Sequence, residues 1–195
     1  MLVEDAPLTR IESRWRLVSP EDSWWLVGAQ VTDDLLRSFE TIAIEVLSQD
    51  NEALNLSANE RIAASIKGTS SPKASSLLRH GISETTAILG SGFGPVAELP
   101  GTRERAGRIV RATLQKASWL RWASLGNLLP LLAEAAPDEF LAAVSTDLKQ
   151  KRSALAALLA DNDEDHPLMP RCKHAGLLWA LECLAWSPEL FLKVC

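Results

Sequence analysis

His166, Cys172 and His174, with Asp163, Glu164 and Asp165 beside them, carry the side-chain types that bind a transition metal. A zinc site uses spacings such as C-x2-C or H-x3-H, which let two ligands converge from one turn or from adjacent helical turns. Cys172-x-His174 at a helix start does not, because residues two apart diverge around the helix axis. The stretch therefore reads as an acidic loop beside a buried thiol, with no metal and no cofactor. The rival reading is a small all-α metal-dependent enzyme built on residues 163–174. A cysteine nucleophile needs a thiolate with a base in reach. Cys183 lies among Leu181, Leu184 and Ala185 and reads as a buried, inert thiol.

The carboxylates offer little more. Glu134 and Glu182 each stand alone in an apolar run, and acid–base catalysis would need surroundings that drive their pKa values apart. Each reads instead as the solvent face of its helix, or as the partner of a base such as Arg121 or Lys173. Gly90-x-Gly92-x-Gly94 has neither a preceding strand nor a helix directly after it, and Pro95 follows at once. The contexts of a phosphate-binding glycine loop are absent, so it reads as flexible punctuation.

Two groups remain as binding surfaces. Arg103, Arg105, Arg108, Arg111 and Lys116 place five positive charges on one helix against Glu104. Arg105, Arg108 and Arg111 follow one another at helical spacing, a ridge suited to phosphate or to an acidic partner. The bland alternative is a solvated face paired with nearby acids. Trp24 and Trp25 are adjacent, so both cannot face one core squarely, and one is expected to be exposed as a contact surface. Trp119 with Trp122, and Trp179 with Trp186, recur at helical spacing and read as core.

The elements that must hold these residues are helical. Ser19-Pro20-Glu21 starts a short helix that Gly28 ends. Thr32 caps the next, striped by Leu35, Leu36, Phe39, Ile42, Ala43, Val46 and Leu47. A brief helix follows over 57–66, and a longer one opens at Ser71-Pro72. Its expected inner face is Ala74, Leu77, Leu78, Gly81, Ile82, Thr85, Ile88 and Leu89, with Gly81 admitting a neighbouring helix. Residues 90–101 form the long irregular link and a soft boundary. Thr102 caps a helix striped by Ala106, Ile109, Val110, Thr113, Leu114 and Ala117. After it, residues 114–144 run almost continuously apolar, as helix, corner around Trp119 and Trp122, helix from about Asn127, and helix from Pro137 with Phe140, Leu141, Val144 and Leu148 inward. Residues 153–160, 171–186 and 187 onward give three more. The helix over 171–186 is apolar nearly all round and is expected to be the buried central one. No convincing strand alternation is found, and residues 1–14 read as a polar lead-in to a single domain over 15–195.

Pro137, Phe140 and Leu141 recur 51 residues later as Pro188, Phe191 and Leu192. Repeats of 40 to 50 residues with two or three helices belong to α-solenoids of HEAT or armadillo type. The fold expected is an irregular, all-α solenoid, with a closed helical bundle as the alternative. Phe191, Leu192 and Val194 close the chain with no polar cap, which predicts a truncated array and self-association through the C-terminal helix.

Composition sets the outer bounds. At 195 residues, 47% hydrophobic and 23% charged, the chain can bury a core without a staple. A net charge of −5 argues against indiscriminate nucleic-acid binding. Three cysteines without C-x-x-C pairs suit a reduced, cytoplasmic protein. The N-terminus has no signal-peptide pattern, and no apolar run reaches the length of a membrane span.

The runs WLRWASLGNLLPLLAEAAPDEFLAAV (119–144), GLLWALECLAWSPELFLKV (176–194) and SPEDSWWLVG (19–28) resemble the helical-repeat regions of very large bacterial proteins, some of them similar to STAND-type NTPases. That resemblance implies a non-enzymatic scaffold or sensor region beside a nucleotide-binding module, often in phage defence. No G-x-x-x-x-G-K-[ST] occurs here, so such a module would lie outside these residues. A nucleic-acid-binding module built on residues 103–116 is the third reading.

Overall fold

The computed structural model describes residues 7–56, 60, 73–160 and 172–194. The body is helical, as the periodicity requires. Its one departure among the described residues is an N-terminal hairpin, with β1 (Leu8–Ile11) paired antiparallel to β2 (Arg14–Leu17). This lies where a lead-in and no strand were expected. Glu12, at φ 55°, makes the tight reversal between the strands. The brief helix expected over 57–66 and most of the 163–174 cluster fall outside the described residues.

Helix α1 (Pro20–Val27) is capped by the Ser19 hydroxyl, which accepts the Asp22 amide, and α2 (Asp33–Leu47) by Thr32, which accepts that of Leu35. The α2 stripe narrows in the fold. Leu36, Ala43, Val46 and Leu47 are buried, whereas Leu35 and Ile42 reach solvent.

Helix α3 (Ser76–Ser91) starts at the Ser75 cap, later than Ser71-Pro72, and is rotated from its expected face. It buries Arg79, Ile82, Ser83, Thr86, Ala87 and Leu89, and leaves Leu77 and Leu78 exposed. Hydropathy alone misses this face because its polar members satisfy themselves locally. The Ser83 hydroxyl donates to the Arg79 carbonyl at 2.9 Å, and that of Thr86 to Ile82 at 2.7 Å. Gly81, expected at a helix crossing, has open space beside it. The crossing occurs at Gly90, where a Cβ would meet the Ala135 carbonyl.

Residues 90–101 are less irregular than expected. Gly92 (φ 59°) closes α3 in the left-handed region, and Gly94–Glu98 turn as a 3₁₀ segment. Val96 is buried there with Leu36, Leu89 and Ala106, anchoring the link to a small second core. Helix α4 (Thr102–Leu114) follows, with Gly101 rather than Thr102 at the cap position. Its apolar stripe is buried as read, from Ala106 to Leu114.

Helix α5 (Trp119–Leu125), a 3₁₀ turn over Gly126–Leu128, and α6 (Leu129–Ala135) make the corner and short helix of the apolar run. Pro130 sits in the first turn of α6, as its missing N–H requires. Helix α6 is the true centre, packed by α3, by α4, by α7 (Pro137–Leu148) and by α9 (Ala175–Ala185). Its neighbour Trp122 is fully buried and meets Phe140 edge-on, with centroids 6.1 Å apart and planes at 84°. Helix α8 (Ala154–Ala160) returns over α5 and α7, and α10 (Pro188–Val194) closes the described chain.

The helix expected to be central, α9, is peripheral. Gly176, Leu177, Ala180 and Leu184 face α6, and Gly176 lies so near that a Cβ would meet the Gly126 carbonyl. The opposite face has no neighbour among the described residues. Trp179 is 62% exposed and Trp186 81%, against their reading as core. Cys183 and Cys172 are exposed as well, against the expectation of buried thiols. The apolar character of α9 all round marks two surfaces, one internal and one external.

The recurrence of α6–α7 in α9–α10 is likewise one of sequence more than of burial. Phe140 and Leu141 are buried, whereas their counterparts Phe191 and Leu192 are exposed. In α7 the expected inward Leu148 is exposed, and Asp147 is buried in its place.

Candidate functional site

The arginine ridge of α4 is committed to acids of the same fold. Arg108 holds Glu40 of α2 in a bidentate pair, Nε to Oε1 at 2.6 Å and Nη2 to Oε2 at 2.8 Å. Arg105 reaches the same carboxylate at 3.2 Å and also pairs with Asp33. Arg111 grips Glu139 of α7 through both carboxylate oxygens. Arg103 donates to the Ser91 carbonyl at 3.0 Å, lying across Gly92. The arrangement staples α4 to α2 and α7. Its electrostatics agree: the hydrogen bond from Arg108 holds the Glu40 carboxyl below its ordinary value, and Arg111 does the same to Glu139. The two guanidiniums are raised in turn by those acids. What is left open to a ligand is the groove between α4 and the α6–α7 corner, lined by both signs of charge.

Trp24 and Trp25 behave as adjacency demands. Trp24 packs against the second core, and Trp25 is 61% exposed. Both line a cleft of about 300 Å³ between α1, α3, the 3₁₀ link and α6. The backbone of the link is drawn in close to form it. A Cβ on Gly28 would stand 2.9 Å from Pro95, and one on Gly94 would stand 3.0 Å from the Trp25 ring. Gly94 also has φ 59°, so glycine is needed there for conformation as well as for space. Phe93, on the same link, is exposed at the rim. Ala87, Ile88 and Leu131 supply apolar floor.

The charge of this cleft is of one sign. Glu21 from α1, Glu84 from α3 and Glu134 from α6 line it, and no cationic side chain among the described residues does. None of the three has an ion-pair partner among the described residues. Aromatic faces flanked by carboxylates form a receptor for a cation with apolar substituents, since ring quadrupole and carboxylate attract the same charge. Trp24 and Trp25 are legible in the sequence through adjacency, and Glu134 through its isolation on an apolar helix. Phe93 and Glu84 are not. Phe93 sits in a glycine-rich link that reads as punctuation, and Glu84 on a helix whose buried face hydropathy misplaces.

The remaining sequence candidates do not converge. Among the described residues no three His, Cys, Asp or Glu side chains are placed to hold a metal. Cys172 is exposed, His174 begins α9, and His166 lies outside the described residues. Glu134 and Glu182 stand on different helices, α6 and α9. No helix among the described residues is long and apolar enough to cross a membrane. Comparison with protein-family models, with curated proteins and with solved structures finds no match to this chain.

Proposed function

We propose that this chain is a non-enzymatic recognition module that receives a basic segment of a partner protein in the Trp24–Trp25 cleft. The observation that carries the reading is the clustering of Glu21, Glu84 and Glu134, without ion-pair partners among the described residues, around the exposed Trp25 and Phe93 rings. A Lys or Arg side chain entering there would stack on indole while its charge meets carboxylate, and apolar neighbours would cover the cleft floor. In this reading the arginine ridge is structural.

The module belongs to a larger intracellular bacterial protein of the helical-repeat class, as the sensor region of a defence-related NTPase would. The packing runs at 119–144 and 176–194 support that setting, as does the recurrence of α6–α7 in α9–α10. An irregular solenoid accounts for the bare α9–α10 face. A further repeat laid in the same register would cover Phe191 and Leu192 as Phe140 and Leu141 are covered.

The test is fluorescence anisotropy with two labelled peptides, one of alternating lysine and leucine and one of alternating glutamate and leucine. The basic peptide is expected to bind, and Trp25→Ala or the double change Glu84→Lys with Glu134→Lys should each weaken it by roughly tenfold or more. Equal binding of the acidic peptide, or unchanged affinity in the double variant, overturns the proposal.

A further inference from the structure

A second polar pocket lies on the other side of α3, and its charge is opposite. It has a volume of about 280 Å³ and lies between the first turns of α3, Asn51 after α2, and the α5–α6 corner at Ser124 and Asn127. Arg79, one helical turn into α3, lines it. This arginine is only 5% exposed, and neither Nε nor Nη2 has a hydrogen-bond partner among the described residues. A guanidinium offers five donors in a rigid fork and stays charged in proteins, so burying the three on Nε and Nη2 unmatched runs against the rule that buried polar groups are satisfied.

Among the described residues the surroundings do not supply the missing anion. Asp50 is the nearby acid, but it is bound to Arg121, Nε to Oδ1 at 2.5 Å. Against Arg79 and Arg121 that leaves one carboxylate for two cations. Burial pushes the Arg79 pKa down, and the Arg121 charge adds to the effect. Ser124 is also occupied: its hydroxyl accepts the Asn51 amide at 2.8 Å and donates to the Leu120 carbonyl at 2.6 Å.

The donors that remain point to a ligand. Ser75 accepts the Leu78 amide at 3.2 Å as the cap of α3, which leaves its own hydrogen to donate. The Ser76 and Leu77 amides, at the start of this 16-residue helix, have no carbonyl four residues back within the helix. The helix dipole adds positive potential at that end. Ser76 and Asn127 contribute a hydroxyl and a side-chain amide to the wall.

We propose that this pocket binds a phosphate-type oxyanion, held between the Arg79 guanidinium and the N-terminus of α3. A tetrahedral anion suits the donor set better than a carboxylate, because the guanidinium fork takes two oxygens while the hydroxyls and amides of the helix start need others. The volume lies near the lower end for small-molecule sites, which fits one phosphate group with a small substituent and excludes a nucleotide lying wholly inside.

The experiment is thermal unfolding of the intact chain at constant ionic strength and pH, titrating inorganic phosphate, O-phosphoserine or acetate in place of chloride. A ligand that binds the folded state raises Tm with saturation. Phosphate or phosphoserine is expected to raise it saturably at millimolar concentration, the tighter of the two naming the source, with acetate much weaker. Arg79→Met should abolish the response. Should that variant fail to fold, Ser76→Asp serves instead. It places a carboxylate in the first turn, where the dipole favours it, and should both raise the starting Tm and remove the phosphate response. The proposal is overturned by no saturable response in the wild type, by a response that persists undiminished in whichever of these variants folds, or by acetate acting as strongly as phosphate.

Discussion

Gly90 of α3 lies directly against Ala135 of α6: a Cβ on Gly90 would stand 1.9 Å from the Ala135 carbonyl oxygen and 2.8 Å from its Cα. The contact is backbone on backbone, so no side chain can swing aside. Gly90→Ala must push the two helices apart around Leu89, Leu132 and Ala133, all fully buried. Overpacking of this kind costs about 1–3 kcal/mol, and the rigid partner puts this case at the upper end. Gly81, earlier on the same helix, has nothing within 4 Å of its Cβ position. Gly81→Ala should therefore stabilise by about 0.5–1 kcal/mol through helix propensity. Urea unfolding of both variants checks the pair, and equal effects would contradict the crossing.

Trp122 and Trp179 lie at opposite extremes of burial. Trp122→Ala should cost about 3–5 kcal/mol, since the ring is fully enclosed and loses its edge-on contact with Phe140. Trp179→Ala should change stability by only about 0.5 kcal/mol, as expected of an exposed site. Cys183 faces the same solvent and should react with a thiol reagent in the native protein at a rate close to that of Cys172. Slow labelling of Cys183 that accelerates only on unfolding would show the α9 face to be covered.

Where a stripe is both apolar and internally consistent, the fold is legible in the sequence. The narrowed buried stripe of α2, the face of α4, the Pro137 and Pro188 helix starts and the Trp122 corner lie where periodicity puts them. Periodicity misleads in two physical situations. On α3 a polar face is buried because Ser83 and Thr86 bond back to their own helix, and Arg79 lines a pocket; a hydropathy count sees none of this. On α9 the apolar residues exceed what one packing partner can cover, and composition cannot say which face is left over. For the cleft, Trp25 is legible because adjacent residues diverge. Its acids come from three elements far apart in the chain, a juxtaposition that no local pattern encodes.

The α4 staples predict an acid-sensitive fold. Glu40 and Glu139 have carboxyls held below the ordinary 4.5 by hydrogen bonds from Arg108 and Arg111. A carboxyl whose folded pKa is depressed stabilises fully above its unfolded value, and that contribution disappears as pH falls through the folded one. Stability should thus be level from neutrality to about pH 5 and decline below 4.5. Solvent screening at half-exposed Arg108 holds its pair with Glu40 to about 1 kcal/mol or less, and the still more exposed Arg111 makes a weaker contribution through Glu139. Melting temperatures between pH 7 and pH 3 should fall less steeply in Glu40→Gln than in the wild type. Parallel curves would show that these pairs carry no linkage.

Asp147 is, with Arg79, a buried charged residue among those described, 7% exposed at the end of α7, and its task is to begin α8. Oδ2 accepts the Leu155 amide at 2.8 Å and the Ser153 hydroxyl at 2.6 Å, while Oδ1 accepts the Ala154 amide at 3.1 Å. One carboxylate thus satisfies two amides and the hydroxyl that itself caps Ala156 at 2.9 Å. Asp147→Ala strands the buried Leu155 amide and loosens the cap, and a stranded buried donor costs about 1–3 kcal/mol. Asp147→Asn keeps the shape but has one acceptor oxygen, and its amide would face another N–H, so it should lose most of the same stability. Ser153→Ala removes a capping hydroxyl and leaves both amides on the carboxylate, at a cost of about 1 kcal/mol. Denaturant midpoints at neutral pH should therefore fall furthest for Asp147→Ala, less for Asp147→Asn and least for Ser153→Ala. A Ser153→Ala variant as damaged as Asp147→Ala would mean that the hydroxyl, not the carboxylate, joins α7 to α8.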